Sequence, residues 1–477
     1  MTARESSAVD LDSERVVSFV PEDERHGTSL QQFRFWFLSN FQFYAISIGF
    51  IGPAMGLSFW WSVVAGVAGM TVGTTFMALH GTQGPHLGLP QMIQSRGQFG
   101  HRGVIIPIIA ATFVYVASSI ISFVIIGGGL DSIYGIGTLG VAWLTVVLSC
   151  VAAAAGYDWL HKLYSALLYV SLPIIVVITI ALPFHHSNQV HPGHFGWTLV
   201  GFVFQFTASA SYNITLAPYV SDYTRYMPSN VSSAKMIAAL GLGAAGSGVW
   251  MIAIGSWLAT RLDVNDALTG LRDAGNDVFT GFGDIAAILS VLTLVLTMAQ
   301  NSYSSMLSLV TIRSSFGRVT FSNRARVLTI VAVSGCVGLI GSIITGSAVT
   351  ALGAALTLNL AFLVPWTAIN LVDYFILRRG HFIVEDLLRP SERYGMWSTR
   401  GLLSYAIGMV SMAPFIVVAD LYTGPWAGMF HGADVSWVLG LVISAISYVA
   451  LTALGVGREA DHAQTEAPSV ADAIQTS

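Results

Sequence analysis

Two amides and three hydroxyls fall within about three helical turns of one apolar stretch near residue 300. They are Thr293, Thr297, Gln300, Asn301 and Ser304. All but Asn301 follow an i, i+4, i+7, i+11 spacing, so they share one face of a helix. Burying such groups in an apolar environment is costly unless they find partners, so this face must contact protein, water or a ligand. Hydrogen bonds between helices are the alternative explanation.

Polar side chains also gather in two other apolar stretches. The stretch before Pro218 carries Ser209, Ser211, Tyr212, Asn213 and Thr215. An earlier stretch carries Tyr115, Ser118, Ser119 and Ser122. Together with the residues near position 300, they form the set of candidate binding residues.

This set of side chains suits a neutral, flat heterocycle. The amides of Asn213, Gln300 and Asn301 each present a carbonyl and an NH2 group, which can read the donors and acceptors on a ring edge. Tyr115 and Tyr212 can cover a ring face, and such stacking contributes about 1–3 kcal/mol per base. No charged residue lies inside these stretches, so an amino acid or a phosphorylated solute would lack a counter-charge.

The elements that position these residues are twelve apolar stretches, each long enough for a membrane-spanning helix of about 20 residues. We predict spans at 35–57, 60–80, 104–126, 137–157, 163–183, 197–219, 236–258, 285–312, 327–349, 350–372, 401–419 and 436–456. With both termini in the cytoplasm, all 21 Lys and Arg except Arg261 and Arg272 fall on the cytoplasmic side. This bias predicts an all-α, multi-pass protein of the cytoplasmic (plasma) membrane with twelve transmembrane helices.

Composition supports a membrane protein and excludes other classes. Only 10% of the residues are charged, against about a quarter in soluble proteins. The net charge of −4 argues against nucleic acid as a partner. We predict a cytoplasmic tail at 1–30, a membrane domain at 31–457 and a second cytoplasmic tail at 458–477, with the lipid bilayer and a small solute as partners and no obligate protein partner.

Two spans contain residues that weaken a helix. The first holds Gly49, Gly52, Pro53 and Gly56 in its outer half, and the sixth is followed by Pro218. Glycine and proline can break a helix in mid-membrane, and exposed backbone is tolerated there only around a cavity or a ligand. Interrupted helices at matching positions of two halves indicate a transporter's binding site. Simple proline kinks with close packing are the alternative.

Other motifs point to no chemistry of their own. Zinc-protease, nucleophile-elbow and phosphate-loop patterns are absent from the sequence, so we do not expect an enzyme or a cofactor. The histidines at 185, 186, 191 and 194 lack acidic or Cys partners, and we predict no metal site. Asp222 and Asp373 each precede an arginine, Arg225 and Arg378, which favours interfacial salt bridges over proton relay.

Several segments resemble the purine–cytosine permease family of nucleobase–cation symporters. They are EDERHGTSLQQFRFWFLSN (22–40), GLPQMIQSRGQFGHRG (88–103), APYVSDYTRYMP (217–228), PWTAINLVDYFILRRG (365–380), RYGMW (393–397) and GADVSW (432–437). These segments occur in the family's order from about residue 22 to about residue 455.

The resemblance implies the five-plus-five inverted-repeat fold of the leucine-transporter type with two extra C-terminal helices. The first repeat would cover about 33–184, the second about 195–375, and helices eleven and twelve about 401–456. In that fold the solute lies between broken helices one and six and helices three and eight. We therefore predict a substrate site that comprises Tyr115, Ser118, Ser119, Tyr212, Asn213, Gln300 and Asn301.

The resemblance also implies a coupling cation, Na+ or H+, held by carbonyls of helix one and hydroxyls of helix eight. The matching residues here are Gly49, Gly52, Thr293 and Thr297. The sequence departs from the family at positions where relatives carry aromatic or hydroxyl residues. Ser118, Asn213 and Leu216 stand at aromatic positions and Leu296 stands at a hydroxyl position.

These features predict a secondary active transporter that takes up a nucleobase, such as cytosine or a purine, with a cation. The alternative is the same fold carrying another polar heterocycle, such as hydantoin, allantoin or a pyridine-type vitamin. A passive channel or a sensor is the alternative from another class. A channel would show pore-lining polar rings, and a sensor would usually carry an added soluble domain.

Overall fold

The fold is built almost entirely from helices. A computed structural model describes residues 19–184, 195–317, 322–344, 347–390 and 392–457. The histidines at 185, 186, 191 and 194 and most of both predicted tails lie outside the described residues. The predicted domain boundaries therefore stay predictions.

The α-helices are numbered here in chain order. They are α1 Ser29–Asn40, α2 Phe43–Ile48, α3 Ile51–Ala54, α4 Phe59–Leu87, α5 Gln91–Gln94, α6 Arg96–Phe99, α7 Ile105–Tyr134, α8 Thr138–Ala155, α9 Tyr157–Ala181, α10 Leu199–Ile214, α11 Ala217–Thr224, α12 Ser233–Arg261, α13 Ala267–Asn276, α14 Phe282–Ser314, α15 Asn323–Ile343, α16 Ala348–Leu371, α17 Val384–Leu388, α18 Thr399–Met412 and α19 Ser436–Ala453. Short 3₁₀ helices occupy Glu22–Glu24, Leu182–Phe184 and Ala427–Phe430, and a π-helical turn, Val372–Leu377, extends α16. Strands β1 Val417–Val418 and β2 Tyr422–Thr423 form an antiparallel hairpin.

Nine helices of the described residues are long and apolar enough to cross a membrane: α4, α7, α8, α9, α12, α14, α15, α16 and α19. The other three predicted spans correspond to shorter helices. The first is divided into α1, α2 and α3, the sixth into α10 and α11, and the eleventh is α18, with 14 residues. The helical, apolar architecture is confirmed, whereas the number of crossings stays a prediction.

The first span breaks earlier than its glycines and proline indicate. Helix α1 ends at Asn40, Gln42 is extended with φ −135° and ψ 150°, and α2 begins at Phe43. A second, weaker interruption at Gly49 and Phe50 keeps right-handed helical angles, with φ −61° and −81°. The main break therefore lies at residues 41 and 42, with the glycine-rich segment following it.

The sixth span breaks where the sequence predicts. Helix α10 ends at Ile214 and α11 begins at Ala217, with Pro218 in its first turn. Proline is tolerated there because the first N–H groups of a helix have no partner within the helix.

One buried amide pair joins the two breaks. Asn40, the last residue of α1, donates from Nδ2 to Oδ1 of Asn213 at 2.5 Å and to the carbonyl of Ala244 in α12 at 2.8 Å. The Nδ2 of Asn213 donates to the Thr74 hydroxyl of α4. Asn40 and Asn213 are fully buried. This pair therefore ties α1, α4, α10 and α12 together.

Glycines allow α2 and α12 to cross at close range. A Cβ atom added at Gly255 would overlap the carbonyl oxygen of Ile46, and one added at Gly49 would overlap the carbonyl oxygen of Ile252. Ser256 adds a hydrogen bond across the same crossing, from its Oγ to the carbonyl of Gly49 at 3.0 Å. Gly49 therefore contributes to helix packing.

We use the term basic face for the side of the helices that carries the 88–104 loop, the α11–α12 connection and residues 378–400. On this side Asp373 is buried and accepts from Arg378 at 2.9 Å, from Gln98 at 2.7 Å and from the Tyr448 hydroxyl at 3.0 Å. The predicted ion pair of Asp373 with Arg378 is therefore present.

In the 88–104 loop, burial and then the nearby Arg96 and Arg102 guanidiniums lower the pKa of His101 to about 4. His101 is therefore neutral near pH 7.

The crossing of α2 and α12 gives a test of the fold. We expect Gly255→Ala to lower the melting temperature of the purified protein, because the new methyl group must displace the backbone at Ile46. Gly246→Ala in the same helix is the matched control, since no atom lies within 4 Å of its added Cβ. Alanine there should keep or raise stability by about 0.5–1 kcal/mol. Equal melting temperatures for the two variants would contradict this packing.

Candidate functional site

A cavity of about 50 Å³ lies beside the two helix breaks. Six of the predicted site residues line it: Tyr115, Ser118, Tyr212, Thr297, Gln300 and Asn301. Helices α7, α10 and α14 supply these side chains, and the segment around the first break adds Trp36, Ser39, Gln42 and Tyr44. None of the lining residues is Asp, Glu, Lys or Arg. The cavity is therefore polar but uncharged.

Aromatic rings form much of the cavity wall. Tyr44 and Tyr212 stack with ring centroids 5.7 Å apart and planes at 14°. Tyr219 stacks on Trp36 at 6.4 Å and lies 5.6 Å from the tilted ring of Tyr115. Tyr115 and Tyr212 were identified from the sequence, but Trp36, Tyr44 and Tyr219 were not. Tyr44 lies five residues before Gly49 and Tyr219 directly follows Pro218, and this closeness to helix-breaking residues was the signal that could have identified these two rings.

Helix α14 presents its amides to this cavity. Both Gln300 and Asn301 line it. The Nδ2 atom of Asn301 is buried and has no hydrogen-bond partner within the described part of the chain. An unpaired buried amide donor costs about 1–3 kcal/mol, and an acceptor on a bound ring would offset that cost. Asn301 is therefore suited to bind a carbonyl oxygen or a ring nitrogen.

Two of the predicted substrate-binding residues lie apart from this cavity. Asn213 is fully buried in the amide pair with Asn40 and in the contact with Thr74. Ser119 is 1% exposed and donates to the carbonyl of Tyr115 in its own helix at 3.0 Å. Asn213 therefore joins helices, and the Ser119 hydroxyl is satisfied within its own helix.

Of the four predicted cation ligands, the structure brings only Thr293 and Thr297 together. The Oγ1 atom of Thr297 lies 2.7 Å from Oε1 of Gln42 and 2.9 Å from the carbonyl of Thr293, so its single proton is shared between these two acceptors. Gln42 lies at the first helix break, so the hydroxyl of α14 meets the interrupted segment there. Gln42 was not among the residues predicted from the sequence.

The predicted glycines are engaged elsewhere. The carbonyl of Gly49 accepts from Ser256, and the N–H of Gly52 donates to Oε1 of Gln205 at 2.8 Å. A second small cavity, of about 20 Å³, lies between the break at Gln42 and the hydroxyls of Ser171, Ser290 and Thr293. Oxygen atoms that could hold a monovalent cation therefore cluster near Gln42, about two helical turns from Gly49.

A larger cavity, of about 530 Å³, extends towards the basic face. We call it the vestibule; its walls come from α1, α8, α9, α11, α14 and α15 and include Asp222, Arg225 and Arg326. It shares Ser39, Tyr219 and Gln300 with the smaller central cavity. A solute leaving the central cavity would therefore pass these three residues into the vestibule.

The amino-acid sequence is similar to those of permeases. Residues 19–440 match the family described as permeases for cytosine/purines, uracil, thiamine and allantoin. The chain is 32% identical over 455 residues to the putative purine-cytosine permease YxlA of Bacillus subtilis, covering 92% of this chain and 95% of that protein. It is 25% identical to the purine-cytosine permease fcyB of Emericella nidulans, covering 92% and 88%. These proteins are described as permeases, in agreement with the prediction that the chain is not an enzyme.

Solved structures show the same fold. The structure of Mhp1, a nucleobase-cation-symport-1 family transporter, closed with bromovinylhydantoin bound, superposes with a TM-score of 0.70 at 16% identity over 92% of this chain and 95% of Mhp1. The inward-facing conformation of Mhp1 gives a TM-score of 0.69 at 17% identity, covering 93% and 96%. The chain therefore has the leucine-transporter type of fold found in Mhp1.

The different environments of the two asparagines can be tested as a pair. We expect Asn301→Ala to weaken heterocycle binding roughly 5- to 150-fold, because a ring acceptor loses a partner worth about 1–3 kcal/mol. We expect Asn213→Ala to lower the melting temperature, because it removes one of the two hydrogen bonds that the Asn40 amide donates and the bond to the Thr74 hydroxyl. Titration of purified variants measures the first effect and differential scanning fluorimetry the second. A weakened ligand affinity for Asn213→Ala with an unchanged melting temperature would contradict the assignment.

Proposed function

The chain belongs to the family of permeases for cytosine/purines, uracil, thiamine and allantoin, and we propose that it takes up a nucleobase together with a cation. The observation that best supports this proposal is the composition of the central cavity. Its walls combine four stacked aromatic rings with the amides of Gln300 and Asn301 and contain no charged side chain. Ring faces and uncharged donors and acceptors are what a neutral base requires.

The proposed arrangement in the membrane follows the bias of Lys and Arg. We place the basic face and both termini in the cytoplasm and count twelve crossings, with two inverted five-helix repeats followed by α18 and α19. In this arrangement the vestibule lies between the central cavity and the cytoplasm, where an importer needs an exit path for its solute.

A second candidate is transport of another small polar heterocycle, such as hydantoin, allantoin or a pyridine-type vitamin. The specific observation in its favour is the bromovinylhydantoin bound to Mhp1, which has the same fold. Hydantoin and nucleobases share a flat ring with neighbouring carbonyl and N–H groups, so the same amides suit both. A passive channel is less well supported, because the central cavity is only about 50 Å³.

An uptake assay tests the proposed function. Cells that lack their own nucleobase carriers and express this chain should accumulate radiolabelled cytosine, hypoxanthine or uracil above an empty-vector control. In the purified protein, a bound base at 100 times its Kd should add about 2.7 kcal/mol of stability and raise the melting temperature. Accumulation of hydantoin or allantoin without any nucleobase would favour the second candidate. If none of these heterocycles is taken up and none gives a thermal shift, the result would contradict transport of this class of solute.

Coupling to Na+ or H+ is tested at Thr297. If Na+ drives uptake, we expect Thr297→Val to abolish its stimulation by sodium, because the hydroxyl that bridges Gln42 and Thr293 is lost while side-chain size is kept. Thr311→Val is the matched control, since among the described residues the Thr311 hydroxyl donates only to the Leu307 carbonyl of its own helix, at 3.0 Å. Uptake in proteoliposomes, with and without a sodium gradient, measures the effect. Sodium-driven uptake that persists in Thr297→Val would contradict this site, and uptake that needs only a pH gradient would identify a proton as the driver.

A further inference from the structure

The vestibule has the dimensions and walls of a binding site. Its volume of about 530 Å³ falls in the range of about 300–1,000 Å³ typical of small-molecule pockets, whereas the central cavity is smaller, at about 50 Å³. Aromatic side chains, including Trp159, Tyr219 and Tyr303, line it. Such walls can stack against a planar ring.

Arg326 brings a positive charge into this vestibule that forms no ion pair among the described residues. Its Nη2 donates to the carbonyl of Ala154, at the end of α8, at 3.2 Å. The Nε of Arg326 is buried and has no hydrogen-bond partner among the described residues, and no carboxylate there pairs with this arginine. The carbonyl end of α8 therefore holds the guanidinium in place and leaves further N–H groups for a ligand.

Arg326 differs from an ordinary arginine of the basic face. Arg324, in the same first turn of α15, is exposed, as expected for an interfacial residue that only follows the positive-inside bias. Arg326 is half-buried and lines the vestibule. The other arginine of the vestibule, Arg225, already bonds the Tyr226 hydroxyl at 3.1 Å.

We propose that the vestibule is a second binding site, selective for heterocycles that present a ring carbonyl beside a ring-nitrogen acceptor, such as 6-oxopurines, with Arg326 as the group that recognises this pair. The proposal rests on the proposed function, because it needs a heterocycle to arrive from the central cavity. It adds a site on the exit path that holds the solute before release.

The chemistry of the guanidinium sets this preference. An arginine fork donates two parallel hydrogen bonds to two neighbouring acceptors, as it does to O6 and N7 of guanine. Adenine presents an amino donor in place of the carbonyl, so it can satisfy only one of these bonds. The carboxylate of Asp222 also lines the vestibule and offers an acceptor for a ring N–H.

Equilibrium binding of radiolabelled hypoxanthine to the purified full-length protein in lipid nanodiscs tests the proposal, with adenine as the comparison ligand. We expect the wild-type binding curve to contain a hypoxanthine-binding component that is due to the vestibule. This component should be lost, or weakened at least tenfold, in Arg326→Gln and kept in the control Arg324→Gln. Arg326→Lys keeps the charge but removes the fork, so the preference for hypoxanthine over adenine in this component should fall. Melting temperatures of all three variants should match the wild type.

Hypoxanthine binding that is identical in the wild type and Arg326→Gln would overturn the second site. Equal affinity of the Arg326-dependent component for adenine and hypoxanthine would overturn the proposed recognition of adjacent acceptors. Either result can occur while nucleobase uptake and the effect of Asn301→Ala persist, so the failure of this inference is distinguishable from failure of the proposed function.

Discussion

A buried hydrogen bond between Asn40 and Asn213 holds the two helix breaks together. Hydrocarbon tolerates interrupted backbone only where protein or a cavity surrounds it, and this chain interrupts two helices at nearly the same place. The amide pair lies at the last residue of α1 and one residue before the end of α10. Because each amide has a further partner in α12 or α4, four helices meet at one buried point.

The cavities follow from this arrangement. Holding the two breaks together brings Tyr44 and Tyr212 into a stack and places Gln42 against Thr297 of α14. The close glycine crossing of α2 and α12 keeps the segment after the first break packed against α12. Helices α7 and α14 then complete a polar, uncharged cavity that continues through Ser39, Tyr219 and Gln300 into the vestibule. A neutral ring could bind at one end of this path and leave by the other.

The features that depend on local patterns could be predicted from the sequence. The apolar spans follow from hydropathy, and the placement of Thr297 and Gln300 on the cavity follows from helical periodicity. The glycines and proline mark only the weaker interruption, at Gly49 and Phe50, and the main break at residues 41 and 42 was not predicted, because a glycine at a helix crossing and a glycine at a break look alike in a sequence. Asn213 was assigned to the substrate because the partners of this amide, Asn40 and Thr74, lie more than 100 positions away in the chain. Tyr44 and Gln42 were missed because the first break, which turns them towards the cavity, has no glycine or proline of its own.

Crystallography of the protein with 5-bromouracil, using the anomalous scattering of bromine, tests whether the central cavity binds a nucleobase. We expect an anomalous peak inside the central cavity, between Tyr115 and Tyr212 and within reach of Asn301. A bound ligand whose bromine lies outside both the central cavity and the vestibule would contradict it.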